Sequence, residues 1–393
     1  MKGLRIVILT LAGLLFFAPM KAEGQTGAVA ATEAQLQDDY IAASLLVISP
    51  DRQIYSVFGH CALRLSCPSQ GMDYCFTFET ASDTKGMLTF LRGAARGGFL
   101  ASRTDNYLET YRAAGRGVEQ YALNLTPEEK LRLWMTVDEE IARGYSRHYD
   151  YLHTHCTSEI VELVKQALLP ATISYGELPA PLQGSFRDVL QYSSLHPWNT
   201  FLWQTIMGPA GDETEPLEDK LAPKLLPIAW QGATVDGNAS RPLISAAPTA
   251  LVAATVEQKA SCLSPTLLFG LFLLVSIVAT LGQKFCGWQR LPRSIDVLLI
   301  ALHSIVAIFL LWLLVCSRLE GTAWNWYLLA FNPLPQLVGI FTHQWLLVGR
   351  CLLGVILAML LLTPFIPQLD LPHGLLLATL ATRLIAAERP IKR

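Results

Sequence analysis

The chain has no basic stripe. Its 30 Lys and Arg are offset by 32 Asp and Glu, for a formal net charge of −2, and no segment gathers cations as a nucleic-acid backbone requires. No nucleic-acid partner is expected. Cysteine is absent before Cys61, so the chain is not expected to be anchored through a lipid-modified cysteine of its own. Zinc-type spacings are absent too. His153, His155 and Cys156 lie one and two residues apart, with His148 upstream, which does not match the usual Cys or His patterns. No metal and no cofactor are expected.

What the chain has in excess is apolar residues, 52 % of its 393. That is too apolar for one soluble domain of this length, and the excess is uneven. Residues 24–260 read as an ordinary globular sequence, whereas from Pro265 onward nearly everything is membrane-like. The N-terminus reads as a signal peptide over residues 1–22, with Lys2 and Arg5 as its basic region, Ile6 to Phe17 as its apolar stretch and Ala22 as the cleavage point. An exported domain is expected at 23–230, a linker at 231–262 and a transmembrane domain at 263–393.

Five crossings are expected in that last part: Pro265 to Gln283, Ile295 to Cys316, a third within Leu328 to Leu347, then Cys351 to Ile366 and Leu371 to Ala387. Pro333 and Pro335 interrupt the third, which could instead be re-entrant. Lys284, Arg290 and Arg293 mark a cytoplasmic loop, as does the basic tail Arg389 to Arg393. An outside start and an inside finish require an odd number of crossings. Trp324, Trp326 and Tyr327 read as an interfacial aromatic belt on the outer side. Asp296 and Arg383 fall near inner ends, where snorkelling or headgroup contact is the ordinary role, and His303, deeper, reads as packing.

In the exported part, Val57 to Leu65 and Tyr74 to Glu79 suit strands. Between them Cys67 and Cys75 flank a turn-rich stretch, where either a cross-hairpin disulfide or two unpaired core cysteines fits. Thr126-Pro127-Glu128-Glu129 is a helix start with a capping box, and the helix stops at Gly144. The next helix begins near Cys156, has a broad apolar face through Ile160, Val161, Leu163, Val164, Ala167 and Leu168, and ends before Pro170.

The chemistry concentrates at two places. Tyr55 to Leu65 puts His60 at the head of a strand, and Thr154-His155-Cys156-Thr157 puts Cys156 in the first turn of a helix. A helix N-terminus favours a thiolate, and an imidazole within reach accepts its proton. The order is the reverse of papain's. Alone, His60 would be a structural histidine and Cys156 a buried thiol. Together, and with a polar helix entrance of His153, Thr154, His155, Thr157 and Ser158, they read as base and nucleophile. Along the strand, Ala62 and Arg64 share His60's face, while Cys61, Leu63 and Leu65 point into a core. That pattern suits a strand under a cleft, with Gly59 leaving room for close backbone approach. His155 is a rival base, but adjacent helical residues point about 100° apart, so it is expected to cap the helix or line the cleft.

Several motifs occur in order: Phe58-Gly59-His60-Cys61-Ala62-Leu63-Arg64, the strand Tyr74 to Phe78, Tyr111 with Gly115-Arg116, Leu123-Asn124-Leu125-Thr126, Tyr149-Asp150-Tyr151, Arg187, Pro197-Trp198, and Gly208 with Asp212. Together, over roughly 43–230, they resemble the N-terminal periplasmic domain of Lnb-type lipoprotein N-acyltransferases of Bacteroides-like bacteria. Asn332-Pro333-Leu334 in the multi-span part also resembles that family. The resemblance implies an α+β fold, a permuted papain-like domain related to NlpC and lecithin–retinol acyltransferase enzymes, followed by an α-helical transmembrane bundle. It implies catalysis by His60 and Cys156. The family usually has Asn before the Cys, where this chain has His155, which leaves open the group that orients the imidazole. Arg64 matches the pattern and could hold a phosphate or a carboxylate, or brace the strand.

The expected function is therefore acyl transfer through a Cys156 thioester. A membrane phospholipid is the donor and the N-terminal amine of a lipid-modified lipoprotein cysteine is the acceptor. The protein is expected to be multi-pass in the bacterial cytoplasmic membrane, with its catalytic domain on the periplasmic side. Two alternatives are a cell-wall peptidase or amidase using the same pair, for which one anchor would suffice, and a non-enzymatic envelope assembly factor, for which both residues would be dispensable.

Overall fold

The computed structural model describes residues 41–51, 56–83, 86–194, 196–237, 239–255, 263–322 and 324–387. The expected signal peptide, Cys262 and the basic tail lie outside the described residues. The N-terminal part is built on strands β1 (Ala42–Ile48), β2 (His60–Cys67), β3 (Met72–Thr80), β4 (Arg96–Arg103), β5 (Val118–Ala122) and β6 (Arg147–His148). Helices α1 (Met87–Leu91), α2 (Thr104–Ala113), α3 (Pro127–Arg143) and α4 (Cys156–Leu168) run between and after them. Shorter elements follow: β7 (Thr172–Ser174), α5 (Ala180–Gln183), α6 (Phe186–Ser193), α7 (Pro197–Ile206), α8 (Leu217–Lys220), α9 (Leu226–Gln231), β8 (Thr234–Asp236), β9 (Arg241–Pro242) and β10 (Thr249–Val252). The main sheet has the order β10-β5-β1-β2-β3-β4-β6, and a small sheet has the order β7-β8-β9. The architecture is α+β, as expected.

Side-chain alternation explains how the sheet is covered. Leu45, Cys61, Leu63, Leu65, Phe76 and Phe78 meet Leu133 and Val137 of α3 and Ile160, Val161 and Val164 of α4 in the main core. Each such aliphatic or aromatic burial contributes about 1.5–3 kcal/mol. Thr126 and Glu129 form the expected capping box that starts α3. On the other face Leu46, Ile48, Ala62 and Cys75 pack with Tyr107 of α2. The face that Ala62 shares with Arg64 is thus covered, not the floor of a cleft.

The same parity settles the cysteine pair. β2 and β3 register with Cys67 opposite Met72 and Arg64 opposite Cys75. Cys67 and Cys75 therefore project from opposite faces and cannot bridge. Both are free thiols, Cys67 beside Ser69 (3.3 Å) and Cys75 beside Thr104 (3.4 Å). The stretch expected as a linker is also corrected. Residues 234–252 carry β8, β9 and β10, Val235 and Leu243 are fully buried in the main core, and β10 pairs with β5 at the sheet edge.

Gly59 enters β2 at φ +88°, and a Cβ there would lie 2.6 Å from the Ile48 carbonyl oxygen. A left-handed non-glycine residue costs about 1–2 kcal/mol before any clash. Gly59→Ala is expected to lower the thermal midpoint of the full chain in detergent by at least about 2–4 °C, read by scanning fluorimetry.

Among the described residues six α-helices follow: α10 (Pro265–Cys286), α11 (Arg290–Cys316), α12 (Tyr327–Ala330), α13 (Leu334–Thr342), α14 (Trp345–Leu362) and α15 (Leu371–Ala387). Among the described residues, α10, α11 and α14 with its 3-10 extension to Phe365 are long and apolar enough to cross a membrane, and α15 is shorter. The continuous third span expected within Leu328 to Leu347 does not form. Pro333 and Pro335 have no N–H for a helical ladder, the Asn332 side chain accepts from the Leu334 N–H (3.1 Å), and His343 is left-handed. What forms is a four-residue and a nine-residue helix. The longer spans only about 13.5 Å, against a hydrocarbon core of about 30 Å.

The expected snorkelling of Arg383 and Asp296 is replaced by a pair. Arg383 donates to both Asp296 oxygens (2.7 and 3.0 Å), to Thr280 Oγ1 (2.7 Å) and to Gln283 Oε1 (3.1 Å). The end of α15 therefore lies beside the end of α10 and the start of α11. Its first turn is at the opposite end, where His373 Nε2 is 2.8 Å from Thr205 Oγ1 of α7. Helices α10 and α15 both lead away from the sheet domain. Midway, His303 is bonded to the Ala330 carbonyl (2.7 Å) and to Gln336 (2.5 Å), so the broken α12–α13 segment runs past the middle of α11. Tyr327 does not belong to an exposed belt. It is fully buried, and its hydroxyl donates to the Gln368 carbonyl, while Trp324 and Trp326 are exposed.

Candidate active site

Cys156 is the first residue of α4 and His155 is its N-cap, with extended backbone. His155 Nδ1 accepts from the N–H groups of Thr157 (3.3 Å) and Ser158 (3.5 Å), and the His155 N–H donates to Ser158 Oγ (3.0 Å). An imidazole thus takes the place of the usual Ser, Thr, Asp or Asn oxygen. With Nδ1 accepting, the proton of the neutral ring sits on Nε2. Upstream, Asp150 Oδ1 accepts from the N–H groups of Leu152 (2.7 Å) and His153 (2.6 Å), and Tyr149 stacks on Phe78. These contacts fix the loop that delivers the cysteine.

His60 opens β2, and its ring lines the same cavity as Cys156. Its Nε2 is 2.5 Å from Thr77 Oγ1, and the Thr77 hydroxyl donates to the Cys61 carbonyl (3.3 Å). Thr77 Oγ1 therefore accepts from Nε2–H, which leaves Nδ1 for the thiol. Glu79 Oε1 lies 3.8 Å from the same Nε2. Beneath the pair lies Cys61. The Cys61 and Cys156 sulfurs stand 3.5 and 3.9 Å from one hydroxyl, Thr157 Oγ1, which is fully buried.

The electrostatics follow. The Cys156 thiol is held well below its ordinary value, first by a hydrogen bond from Cys61, then by the His60 charge and by hydrogen bonds from His155 and His60, against the opposing effect of burial. Burial alone pulls His60 down, but the Cys156 charge and hydrogen bond, with Glu79, outweigh it and raise the imidazole above 6.5. Burial pushes the Cys61 thiol well up. Both directions favour Cys156 over Cys61 as the sulfur that ionises. Such an arrangement is equipped for nucleophilic attack followed by proton transfer.

Both reactive groups open into one cavity of about 210 Å³. Its polar lining is His60, Glu79, Thr80, His155, Cys156, Ser193 and Lys220, and the rest is apolar or aromatic, including Phe58, Met87, Phe90, Tyr151, Leu190 and Trp203. Phe90, Tyr151, Leu190 and Trp203 belong to the same packed cluster as Leu319, Tyr327 and Phe331 of the helical region. Hydrogen bonds tie the two parts, from the Arg318 backbone N–H to the Arg92 carbonyl (3.0 Å) and from the Asn325 side-chain Nδ2 to the Thr205 carbonyl (2.7 Å).

The structure thus brings His60, Cys156 and His155 together, but not Arg64. Arg64 donates to Asp73 through Nε (2.9 Å) and Nη2 (2.7 Å) and to Gln120 through Nη1 (2.7 Å), away from the cavity. Of the roles considered for it, bracing the sheet is the one its contacts serve. Arg187, Gly208 and Asp212 of the ordered motif set also meet. Buried Arg187 donates to Asp212 Oδ1 (2.6 Å) and to the Gly208 carbonyl (2.8 Å).

Sequence reasoning missed Thr77, Glu79, Cys61 and Lys220. The first two were recoverable from the hairpin, since continuing the β2–β3 register puts Glu79 opposite His60 and Thr77 opposite Ala62, two residues further along on the same face. Cys61 was placed in the core, correctly, but α4 packs on that core so that its first residue meets it.

A family model described as the Lnb N-terminal periplasmic domain matches residues 28–189, a stretch that includes His60 and Cys156. Neither a curated protein nor a solved structure matches the chain. The thiol, the imidazole and the strands and helix that carry them fall within the matched stretch, and residues 28–189 are similar to the Lnb N-terminal periplasmic domain.

Proposed function

We propose that this protein is a lipoprotein N-acyltransferase acting at the periplasmic face of the cytoplasmic membrane. The Cys156 thiolate attacks an ester carbonyl of a membrane phospholipid. The tetrahedral intermediate expels the lysophospholipid alkoxide, which takes a proton from the His60 imidazolium, and the acyl group stays on sulfur as a thioester. The N-terminal amine of a lipid-modified cysteine then attacks that thioester. The amine proton passes to His60 and the thiolate leaves, which restores the starting pair. Thr77 and Glu79 orient the imidazole, the part for which the family's motif gave no residue.

The helix-start N–H groups expected to hold the oxyanion are partly engaged, since Thr157 and Ser158 donate to His155. The Cys156 N–H in turn faces the Tyr149 side chain. His can stand where the family has Asn because either side chain accepts the helix cap on one atom, as His155 Nδ1 does. His155→Asn is expected to keep thioester formation within about tenfold, and His155→Ala to lose on the order of 10²-fold, followed by intact-protein mass spectrometry.

One observation carries the reading: the reactive pair opens into a largely apolar, aromatic cavity whose walls continue into the packing of the helical region. An acyl chain suits such walls, and both substrates stay in the bilayer while reacting. A peptidase would need backbone hydrogen-bond partners along its substrate. Expression in cells lacking their own N-acyltransferase, with mass spectrometry of lipoprotein N-termini, is expected to show N-acylated cysteine. Unmodified N-termini would overturn the proposal.

A further inference from the structure

Lys220 ends α8 and is 5 % exposed, yet it lines the same cavity as Cys156 and His60. Its Nζ donates to the carbonyls of Gly184 (2.8 Å) and Leu182 (3.3 Å). These satisfy two of the three ammonium hydrogens but bring no countercharge. Among the described residues no carboxylate pairs with it within 4 Å. The nearby Asp188 carboxylate is committed to the cap of α6, where Oδ2 accepts from the Ser185 N–H (2.8 Å) and hydroxyl (2.9 Å). Burial pulls the ammonium below its ordinary value, against the weaker opposing charges of Glu215 and Asp188, neither of which bonds to it. A buried charge is costly unless paired, and a cation held on two carbonyls at the wall of an apolar cavity is poised for an anion that arrives with the substrate.

Building on the proposed function, we infer that Lys220 is an anion subsite for the phosphodiester of the donor phospholipid, holding the headgroup while an ester of the same molecule lies at Cys156. Phosphate lies a few bonds from the glycerol esters, so one lipid can reach both groups in one cavity. The acceptor's lipid-modified cysteine carries no phosphate and gains nothing from Lys220. The site would therefore help to separate donor from acceptor at a single thiol.

The test uses the full chain in detergent and follows acyl-Cys156 formation by intact mass. The donors are phosphatidylglycerol and a diacylglycerol with the same chains. For Lys220→Met the preference for phosphatidylglycerol over diacylglycerol is expected to fall about tenfold or more, the loss of one charge-assisted hydrogen bond, and Lys220→Arg should retain it. Lys220→Gln, which can still donate to the carbonyls, separates charge from capping: it should lose the preference while its Cys156 still alkylates at the wild-type rate. An unchanged preference in Lys220→Met, or an equal fall with both donors, would overturn the subsite. Inorganic phosphate distinguishes the anion's source. Slowing of both donors at millimolar phosphate would overturn the headgroup assignment in favour of a free-phosphate site, and slowing of phosphatidylglycerol alone supports it. If wild type gives no acyl-Cys156 with either donor, the acyl-transfer reading itself falls, a result distinct from acylation without donor preference.

Discussion

Cys156→Ser is expected to abolish N-acylation, with a loss on the order of 10⁴-fold or more in acyl transfer, as for removal of a covalent nucleophile elsewhere. The surroundings of Cys156 are matched to a thiolate. A Cys61 S–H, the His60 charge and His155 all favour sulfur in its ionised form. A serine hydroxyl does not ionise there, and without the anion His60 loses the interaction that raises it above 6.5. The buried neighbour cannot substitute, since Cys61 is fully buried, does not line the cavity, and has its thiol pushed well up by burial. In cells lacking their own N-acyltransferase, Cys156→Ser should therefore leave lipoprotein N-termini unmodified, and peptide mapping of wild type should place the trapped acyl group on Cys156 alone. Full N-acylation by the serine variant would remove the proposed nucleophile. An acyl adduct on Cys61 would reassign it.

Much of this site was legible before the structure because its two reactive residues sit at element starts, where local rules are strongest. A cysteine between a polar run and an apolar helical stripe, and a histidine between Gly59 and alternating Cys61, Leu63 and Leu65, could each be placed from a few neighbours. Capping chemistry was legible too, as Thr126 and Glu129 illustrate. What was hidden depends on pairing. Thr77 and Glu79 reach His60 only through the β2–β3 register, and the same register separates Cys67 from Cys75. That Arg64 belongs to Asp73 and Gln120 also needs the neighbouring strands. Lys220 lies 64 residues beyond the nucleophile in sequence, on a four-residue helix that no periodicity announces. In the helical part, hydropathy located the long helices but could not say how two interrupting prolines resolve. Nor could it reveal that Arg383 and Asp296, 87 residues apart, satisfy one another.

His60→Ala should move the reactivity of Cys156 along the pH axis, an effect that loss of activity alone would not reveal. In wild type the thiol is held well below its ordinary value, so thiolate is present at neutral pH and alkylation by iodoacetamide should persist into mildly acidic solution. As pH falls through that lowered value the sulfur is protonated and the rate drops. On the alkaline side alkylation continues, because it needs only the thiolate. Acyl transfer should fall there, because the leaving alkoxide needs a proton from His60, whose raised value sets the upper limb. Removing the imidazole removes the His60 charge and one hydrogen bond but leaves Cys61 and His155 in place. The alkylation midpoint should therefore rise toward the ordinary thiol range without reaching it, while acyl transfer falls by about 10²–10⁴-fold. Thr77→Val offers the matching control. It removes the partner of Nε2 but keeps the ring, so transfer should weaken while Cys156 remains alkylatable below pH 8.5, the reference value for a free thiol. An alkylation profile in His60→Ala that superimposes on wild type would mean that His60 and Cys156 do not act as a pair, and the proton-transfer scheme would have to be abandoned.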